Sequence, residues 1–430
     1  MNVAFYTLGC KVNQVETEAL REAFEAAGHT VVSEHAPFDA VVINSCTVTA
    51  ESDRKTGQAV RRFRKERPDA ILVLTGCMVQ ASAERARALQ AADIIVGNTD
   101  LTRIVRLTEQ FALDGEPVFE VSAHRKNERF NTPPLRRFAE RTRAYIKIED
   151  GCERFCTYCI IPTARGPVRS KPTAQIRQEA EELARSGFSE IVLVGINLTA
   201  YGKGDGVTLC DAIDEVCAVE GVKRVRLGSL EPDHLHDDML RRLAQQPKFC
   251  PQFHLSLQSG CDATLARMNR HYDTAFYRDL VGRIRAIFPD AAITTDIMVG
   301  FAGETEEEFA QSLAFAGEIG FAKTHVFAFS RRQGTVAYGL SNQVTKAQKS
   351  DRSRRMIALS AKSEAAFLKT QIGKTTPVLF ESARDGFAEG YTANYTRVCV
   401  RSNHAHTGEL LPVRLVAAEN EYCIGELLNE

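Results

Sequence analysis

Three cysteines stand out for their spacing. In Asp150-Gly151-Cys152-Glu153-Arg154-Phe155-Cys156-Thr157-Tyr158-Cys159 the thiols are separated by three residues and then by two. One loop can turn all three toward a common point. A structural zinc site takes four ligands, and no fourth cysteine stands near these three. Thiolates also hold iron–sulfur clusters. A cubane cluster held by three cysteines leaves one iron open. That iron can chelate the amino and carboxylate groups of S-adenosylmethionine and pass an electron into its sulfonium. The competing readings are a zinc site completed by a distant ligand, or three core cysteines.

A second group has no spacing of its own. Cys10, Cys46 and Cys77 each follow a short β-rich run, in Thr7-Leu8-Gly9-Cys10, Ile43-Asn44-Ser45-Cys46 and Leu74-Thr75-Gly76-Cys77. In a parallel sheet all three fall at the carboxyl edge, where ligands bind. Glycine precedes Cys10 and Cys77, so the backbone there can approach a bulky ligand closely. Three thiolates on one crevice would hold a second cluster, again with an open iron. Three unrelated buried cysteines are the plain alternative.

Positioning these groups requires strands that alternate with helices. The first ~130 residues show that rhythm. Strands are expected at Val3–Leu8, Ala40–Asn44, Ile71–Thr75 and Ile94–Gly97, with helices at Glu16–Ala27, Asp53–Arg67 and Gln80–Gln90. The alternation implies a parallel sheet. Residues 122–141 are polar and basic around Pro133-Pro134, and a linker is placed at 122–137. The rhythm then restarts, with strands expected at Ala144–Glu149, Glu190–Val194, Lys223–Leu227, Phe253–Leu257, Ala292–Met298 and Thr324–Phe329. Helical patterns near 172–187, 208–220, 234–246, 274–287 and 304–319 separate them, and one near 344–370 follows. Six such units make a partial barrel, since eight typically take ~250 residues. The last 60 residues carry short strand-like segments, with turns at Asp385-Gly386 and Ser402-Asn403. They predict a small all-β barrel. The fold class is therefore α/β multidomain: an N-terminal parallel α/β sheet domain over 1–121, a central partial (β/α)6 barrel over 138–370 and a C-terminal small all-β barrel over 371–430.

Composition sets outer bounds. The 430-residue chain has 54 basic and 55 acidic residues, so any nucleic-acid surface must be local. No run reaches the ~20 apolar residues of a membrane span. The strand-like start at Met1 lacks the features of a signal peptide, which makes the cytoplasm the expected location. Twelve cysteines in a reducing compartment point to metal or redox chemistry.

The cysteine triplet, with aromatic Tyr158 before its third member, resembles the signature of the radical S-adenosylmethionine superfamily. Over its whole length the chain resembles the methylthiotransferases, which end in a β-barrel of the TRAM type. Thr7-Leu8-Gly9-Cys10-Lys11-Val12-Asn13-Gln14 is most similar to the MtaB branch, whose substrate is N6-threonylcarbamoyladenosine beside the tRNA anticodon. Leu227-Gly228-Ser229-Leu230-Glu231-Pro232, Leu255-Ser256-Leu257-Gln258-Ser259-Gly260 and Gly390-Tyr391-Thr392-Ala393-Asn394-Tyr395 extend the match. Ala302 stands where a proline is usual, and His271 where Arg or Gly is.

The resemblance implies two [4Fe-4S] clusters, on Cys152, Cys156 and Cys159 and on Cys10, Cys46 and Cys77. It implies a deoxyadenosyl radical that abstracts hydrogen from adenine C2, and a methylated sulfur delivered from the N-terminal cluster. Two S-adenosylmethionine molecules are consumed, with tRNA as partner and a small electron-donor protein such as flavodoxin or ferredoxin. Beside Tyr158, polar or glycine positions at barrel strand ends are candidates to hold S-adenosylmethionine: Gly195, Asn197, Ser229, Glu231, Gln258 and Asp296. Tyr391, Tyr395, Arg397 and Arg401 are candidates for RNA, with Tyr395, Arg397 and Arg401 expected on one strand face.

A sister branch methylthiolates a ribosomal aspartate and usually has proline after the first cysteine, where Lys11 stands here. A third reading is an RNA-binding protein with a structural metal. Cys210 and Cys217 share a helix face, while Cys250, Cys261, Cys399 and Cys423 are isolated. All six are read as structural.

Overall fold

The computed structural model describes residues 1–126, 128–138, 142–402, 404 and 406–428. The N-terminal sheet is parallel throughout. Its strands are β1 (Asn2–Thr7), β2 (Thr30–Val32), β3 (Ala40–Ser45), β4 (Ile71–Gly76), β5 (Ile94–Val96) and β6 (Val118–Glu120), in the order β2-β1-β3-β4-β5-β6. β3 and β4 are buried at every residue because helices cover both faces. Val3, Phe5, Val42 and Val73 pack against Leu20 and Phe24 of helix Lys11–Ala26 and Ile104 of helix Arg103–Asp114. Ala4, Val41, Ile43 and Leu72 face Val60 and Phe63 of helix Ala50–Glu66. The alternation follows from the two-residue period of a strand.

Local differences from expectation have physical causes. β2 and β6 are three-residue edge strands, too short to carry a pattern. The helix expected over Gln80–Gln90 is two pieces, Cys77–Ala81 and Ala83–Arg87, because Ser82 leaves the helical region at φ −155, ψ 77. Helix Arg103–Asp114, also unforeseen, stops at left-handed Gly115.

The central strands are β7 (Ala144–Lys147), β8 (Glu149–Asp150), β9 (Arg169–Ser170), β10 (Glu190–Val194), β11 (Arg224–Leu227), β12 (Ser229–Leu230), β13 (Gln252–Leu255), β14 (Ala292–Val299) and β15 (Lys323–Ala328). They form two parallel sheets, β11-β10-β7 and β12-β13-β14-β15, joined where Gly228 separates β11 from β12, plus an antiparallel β8–β9 pair. Six staves make an open barrel. Ile146, Ile191 and Leu193 pack outward onto the helix layer with Ile176, Leu183 and Ile213. The opposite face of β7 and β10, with Tyr145, Val192 and Val194, takes Val12 and Val15 of helix Lys11–Ala26. The N-terminal unit thus packs against the barrel's inner wall. Of the polar stretch 122–141, residue 127 of the expected linker and residues 139–141 beyond it lie outside the described residues.

Helix Lys346–Lys369, opened by a Thr345/Gln348 capping box, leads to the last unit. Strands β16 (Thr375–Arg384), β17 (Phe387–Tyr391), β18 (Arg397–Arg401), β19 (Leu410–Ala418) and β20 (Cys423–Leu427) close into a barrel in the order β16-β17-β18-β20-β19. Asp385 and Gly386 both adopt positive φ, 54 and 79, the two-residue hairpin turn that suits twisted strands. The turn expected at Ser402-Asn403 includes Asn403, which lies outside the described residues. Phe380, Val398, Val400 and Val413 fill this small core. Among the described residues no helix is long and apolar enough to cross a membrane.

Candidate active site

The first cysteine group is built by the sheet. β1, β3 and β4 are neighbours, with Thr7 paired to Asn44, Asn44 to Thr75 and Ser45 to Gly76. Cys46 and Cys77 therefore leave the same edge in register. Cys10 joins them after a turn at Gly9, at the start of helix Lys11–Ala26. At Gly9 (φ +126) an added Cβ would come within 2.6 Å of the Asn13 amide oxygen and 3.1 Å of Cys46 Cβ. At Gly76 (φ +98) it would come within 2.5 Å of the Asn44 amide oxygen. Glycine is what lets both turns close. The Asn13 side-chain amide donates to Asn44 Oδ1 at 3.1 Å and to the Ser45 carbonyl at 3.3 Å, and the Cys10 thiol donates to Asn13 Oδ1 at 3.3 Å.

One cation reaches this group from another part of the chain. Arg165, fully buried on helix Ile161–Arg165, donates Nε–H to the Cys77 sulfur at 3.2 Å. Its guanidinium also pairs with Glu16, and Lys147 Nζ meets Glu16 at 2.7 Å and Asp150 at 2.6 Å. Burial alone would raise the Asp150 pKa, but Lys147, Arg165 and Arg169 outweigh it and hold the carboxyl below its ordinary range. Burial pushes the Cys77 thiol up to about 12 against the pull of Arg165.

The second group is built by a loop. The β8–β9 pair, Glu149 with Ser170 and Asp150 with Arg169, ties the ends of the segment carrying Cys152, Cys156 and Cys159. Gly151 (φ +94) lies so close to Pro167 that a Cβ would overlap its carbonyl oxygen. Cys152 N–H donates to the Gly166 carbonyl at 3.0 Å, and Ile161 N–H to the Cys159 sulfur at 3.4 Å. Burial pushes Cys152 and Cys159 up to about 12. Arg270 donates to the Cys156 sulfur at 3.3 Å, to Glu231 at 2.5 Å and to the Ser256 carbonyl at 3.0 Å. Tyr158 lies 3.5 Å from that guanidinium by its hydroxyl, its ring edge-on to Phe301.

The other residues expected at the barrel mouth lie around this loop. Gly195 approaches Glu149 so closely that a Cβ would be 2.6 Å from its carboxylate. Asn197 N–H donates to Glu149 Oε2 at 2.7 Å, while the buried Glu149 Oε1 has no hydrogen-bond partner among the described residues. Burial raises the Glu149 pKa well above the ordinary carboxylate range. Gln258 takes φ +69, and its N–H donates to the Asp296 carbonyl at 2.9 Å. Asp296 Oδ2 is 3.4 Å from His254 Nε2. Ser229 opens β12 on the wall of the lumen. Sequence reasoning missed Glu149, Arg165 and Arg270. Only Glu149 had a nearby signal, an acidic pair directly before the cysteine loop.

Between the central barrel and the small one lies a cavity of about 470 Å³. Lys11, Arg226, His254, Thr294, His325 and Tyr395 are on its walls. Tyr391 and Tyr395 stack with ring centroids 4.7 Å apart. Arg143 sits over both rings, at 5.2 and 5.0 Å, and Arg226 over Tyr395 at 4.7 Å. The tyrosines thus face the central barrel. Tyr395 is not on a strand. It occupies a turn at φ +68, where the Thr392 hydroxyl and Asn394 amide hold the backbone. The shared face expected for Tyr395, Arg397 and Arg401 therefore extends only to the two arginines of β18. Arg397 pairs with Glu389 at 2.7 Å, and Arg401 is exposed at the strand end.

Among the described residues no three His, Cys, Asp or Glu side chains converge on a single metal ion. A cubane asks for something else, since each thiolate holds a different iron. Two all-thiol triads, each with a buried guanidinium beside one sulfur, offer soft anionic ligands and a compensating charge. That donor set fits an iron–sulfur cluster.

Residues 146–316 match the family model described as Radical SAM superfamily, and residues 2–97 the one described as Uncharacterized protein family UPF0004. The open barrel and its cysteine loop are those of a radical S-adenosylmethionine enzyme. The threonylcarbamoyladenosine tRNA methylthiotransferase MtaB of Bacillus subtilis is 36% identical over 99% of this chain and 96% of its own. The protein of that name from Thermotoga maritima is 35% identical over 97% and 95%. A tRNA-2-methylthio-N(6)-dimethylallyladenosine synthase of Clostridium perfringens is 32% identical over 98% and 96%. The chain belongs to the radical S-adenosylmethionine methylthiotransferase family. It is an enzyme of that chemistry, using an iron–sulfur cluster and S-adenosylmethionine. In fold it is similar to the radical S-adenosylmethionine methyltransferase TsrM of Kitasatospora setae, with a TM-score of 0.58 over 90% of this chain and 80% of that one at 12% identity.

Proposed function

We propose that this enzyme inserts a methylthio group at C2 of N6-threonylcarbamoyladenosine next to the anticodon of tRNA, using two [4Fe-4S] clusters. The observation that carries the two-site reading is the Arg165 bridge. Arg165, at the end of the helix directly after the barrel cysteines, donates to Cys77 of the sheet cysteines and pairs with Glu16, so the segment carrying one triad is tied to the other triad. Cys152, Cys156 and Cys159 would hold one cluster, and Cys10, Cys46 and Cys77 the other. When bound, the barrel cluster and S-adenosylmethionine supply a deoxyadenosyl radical, and the sheet cluster a methylated sulfur.

The chain's own residues bind and orient. Glu231 and Arg270 hold the loop beside Cys156, ready for the polar end of S-adenosylmethionine, with Tyr158, Gly195, Asn197, Ser229, Gln258 and Asp296 around them. Tyr391, Tyr395, Arg397 and Arg401 would face RNA from a TRAM unit over 371–430, after a sulfur-donor unit over 1–121 and a radical unit over 138–370. A flavodoxin or ferredoxin would bring the electron. Lys11 in place of proline supports tRNA over a protein substrate. Mass spectrometry of tRNA nucleosides from cells lacking the protein tests the reading. The 2-methylthio form of N6-threonylcarbamoyladenosine should vanish while the unthiolated form persists. Its survival at normal levels would overturn the assignment.

A further inference from the structure

Alternate residues of β15 face opposite sides of the sheet. Val326 packs outward with the helix layer, while Lys323 and His325 line the lumen cavity. Phe327 therefore faces the lumen too. It stands one residue from the carboxyl end of its strand, at the mouth of the barrel where the cysteine loop lies. β15 is the last strand of its sheet, so this face borders the open side of the barrel. Phe327 is 51% exposed. Among the described residues its ring has no aromatic or cationic partner, whereas Tyr158 meets Phe301 edge-on and Phe301 meets Phe329 the same way.

Contacts on two sides fix where that ring stands. Its cross-strand partner Met298 packs against Phe301 and Phe329, as does Tyr158 from the loop of Cys152, Cys156 and Cys159. The chain just past β15 is tied to the loop after Cys46. Ala50 N–H donates to Ser330 Oγ at 3.1 Å, and the buried Arg332 donates to Thr47 Oγ1 at 2.6 Å and to Asp53 at 2.7 Å. Val48 lies between these two ties and is exposed as well. The free face of Phe327 thus lies between the segments that carry the two triads.

We propose that the target base of the RNA stacks on Phe327, which holds it between the two triads. This rests on the tRNA reading above. A purine offers a flat π-face, and that face gains from an aromatic ring whatever groups the base carries at its edge. The adenine of S-adenosylmethionine has the same face, so the test must separate the two sources. The open side of the barrel and the ties to the Cys46 loop favour the RNA base, which has to arrive from solvent and meet both triads.

Anticodon stem-loop RNA carrying N6-threonylcarbamoyladenosine, and the same RNA with an abasic site in its place, are titrated by fluorescence anisotropy against reconstituted full-length protein without S-adenosylmethionine. Wild-type protein should prefer the base-bearing RNA by about 5-fold or more, the lower end for one base on an aromatic ring. Phe327→Leu keeps apolar bulk but loses the flat face, and it should bind both RNAs as wild type binds the abasic one. Phe327→Tyr should keep the preference, a rescue that a merely structural role does not predict. Equal wild-type affinity for the two RNAs overturns the proposal, and so does full preference in Phe327→Leu. A Phe327→Leu variant weakened by one common factor toward both RNAs also overturns it, because the ring would then serve the fold or the RNA backbone. If Phe327→Leu keeps the preference but loses affinity for S-adenosylmethionine in equilibrium dialysis, the ring belongs to the cofactor's adenine instead. Wild-type protein that binds neither RNA better than an unrelated hairpin would sink the tRNA reading, and the proposal with it.

Discussion

The same set of three thiols is assembled in two different ways in this molecule. Cys152, Cys156 and Cys159 lie within eight residues on one loop, tied at its ends by a two-strand clip. Cys10, Cys46 and Cys77 come from turns after three neighbouring parallel strands, and only the register of the sheet brings them to one edge. Each group has a buried arginine on one sulfur, and each arginine comes from far along the chain. Arg270 is 114 residues from Cys156, and Arg165 is 88 from Cys77. A loop triad can form where its clip forms. A sheet triad needs the whole sheet, and here it also needs the barrel that supplies Arg165.

The largest expected effect separates the two groups by iron content. Reconstituted protein should hold about eight irons per chain as two cubanes. Replacing Cys152, Cys156 and Cys159 with Ala should leave about four and abolish cleavage of S-adenosylmethionine. Wild-type protein saturating near four would remove the second site.

The arginines sharpen the contrast. Arg165→Gln leaves Glu16 and Asp150 sharing Lys147 as their nearest fully buried cation. Breaking a buried pair this way typically costs about 3–5 kcal/mol. The denaturation midpoint should fall, and iron should be lost from the sheet site first. Arg270→Gln should instead strip the barrel site, because Glu231 loses its partner beside Cys156. Site-resolved Mössbauer or EPR spectra report which cluster is missing. Equal loss from both sites in either variant would erase the distinction drawn here.

The contrast also explains what could be read in the sequence. The barrel cysteines announce themselves by spacing alone. The sheet cysteines became legible only because β-rich runs such as Ile71-Leu72-Val73-Leu74 precede them, and those runs are buried on both faces. Edge strands β2 and β6, at three residues each, carry no comparable pattern. Arg165 and Arg270 are silent in sequence because their partners are contributed by topology. Tyr391 and Tyr395 were legible as aromatic residues in the tail. Their stacking under Arg143 and Arg226 depends on a positive-φ turn at Tyr395 that no glycine marks.

A smaller effect belongs to Glu149, at the barrel mouth. Burial raises its folded-state pKa, so the native state keeps a proton that the unfolded chain releases above about pH 4.5. Its contribution to stability is therefore complete at low pH and declines as pH rises toward the folded-state pKa. Glu149→Gln copies the protonated form and should flatten that decline. Urea denaturation at pH 5 and pH 8 measures it. A variant whose stability falls between these pH values as steeply as wild type would show that Glu149 is ionised in the native state.

The division of labour between the triads is tested most directly by a chain with Cys10, Cys46 and Cys77 all changed to Ala, reconstituted anaerobically and given reductant, S-adenosylmethionine and substrate tRNA. Deoxyadenosine should still form, because the barrel loop and its Arg270 network are intact, and no methylthio nucleoside should appear in the tRNA digest. Methylthio product at the wild-type rate would contradict the account, since the sulfur would then be coming from somewhere other than the sheet edge.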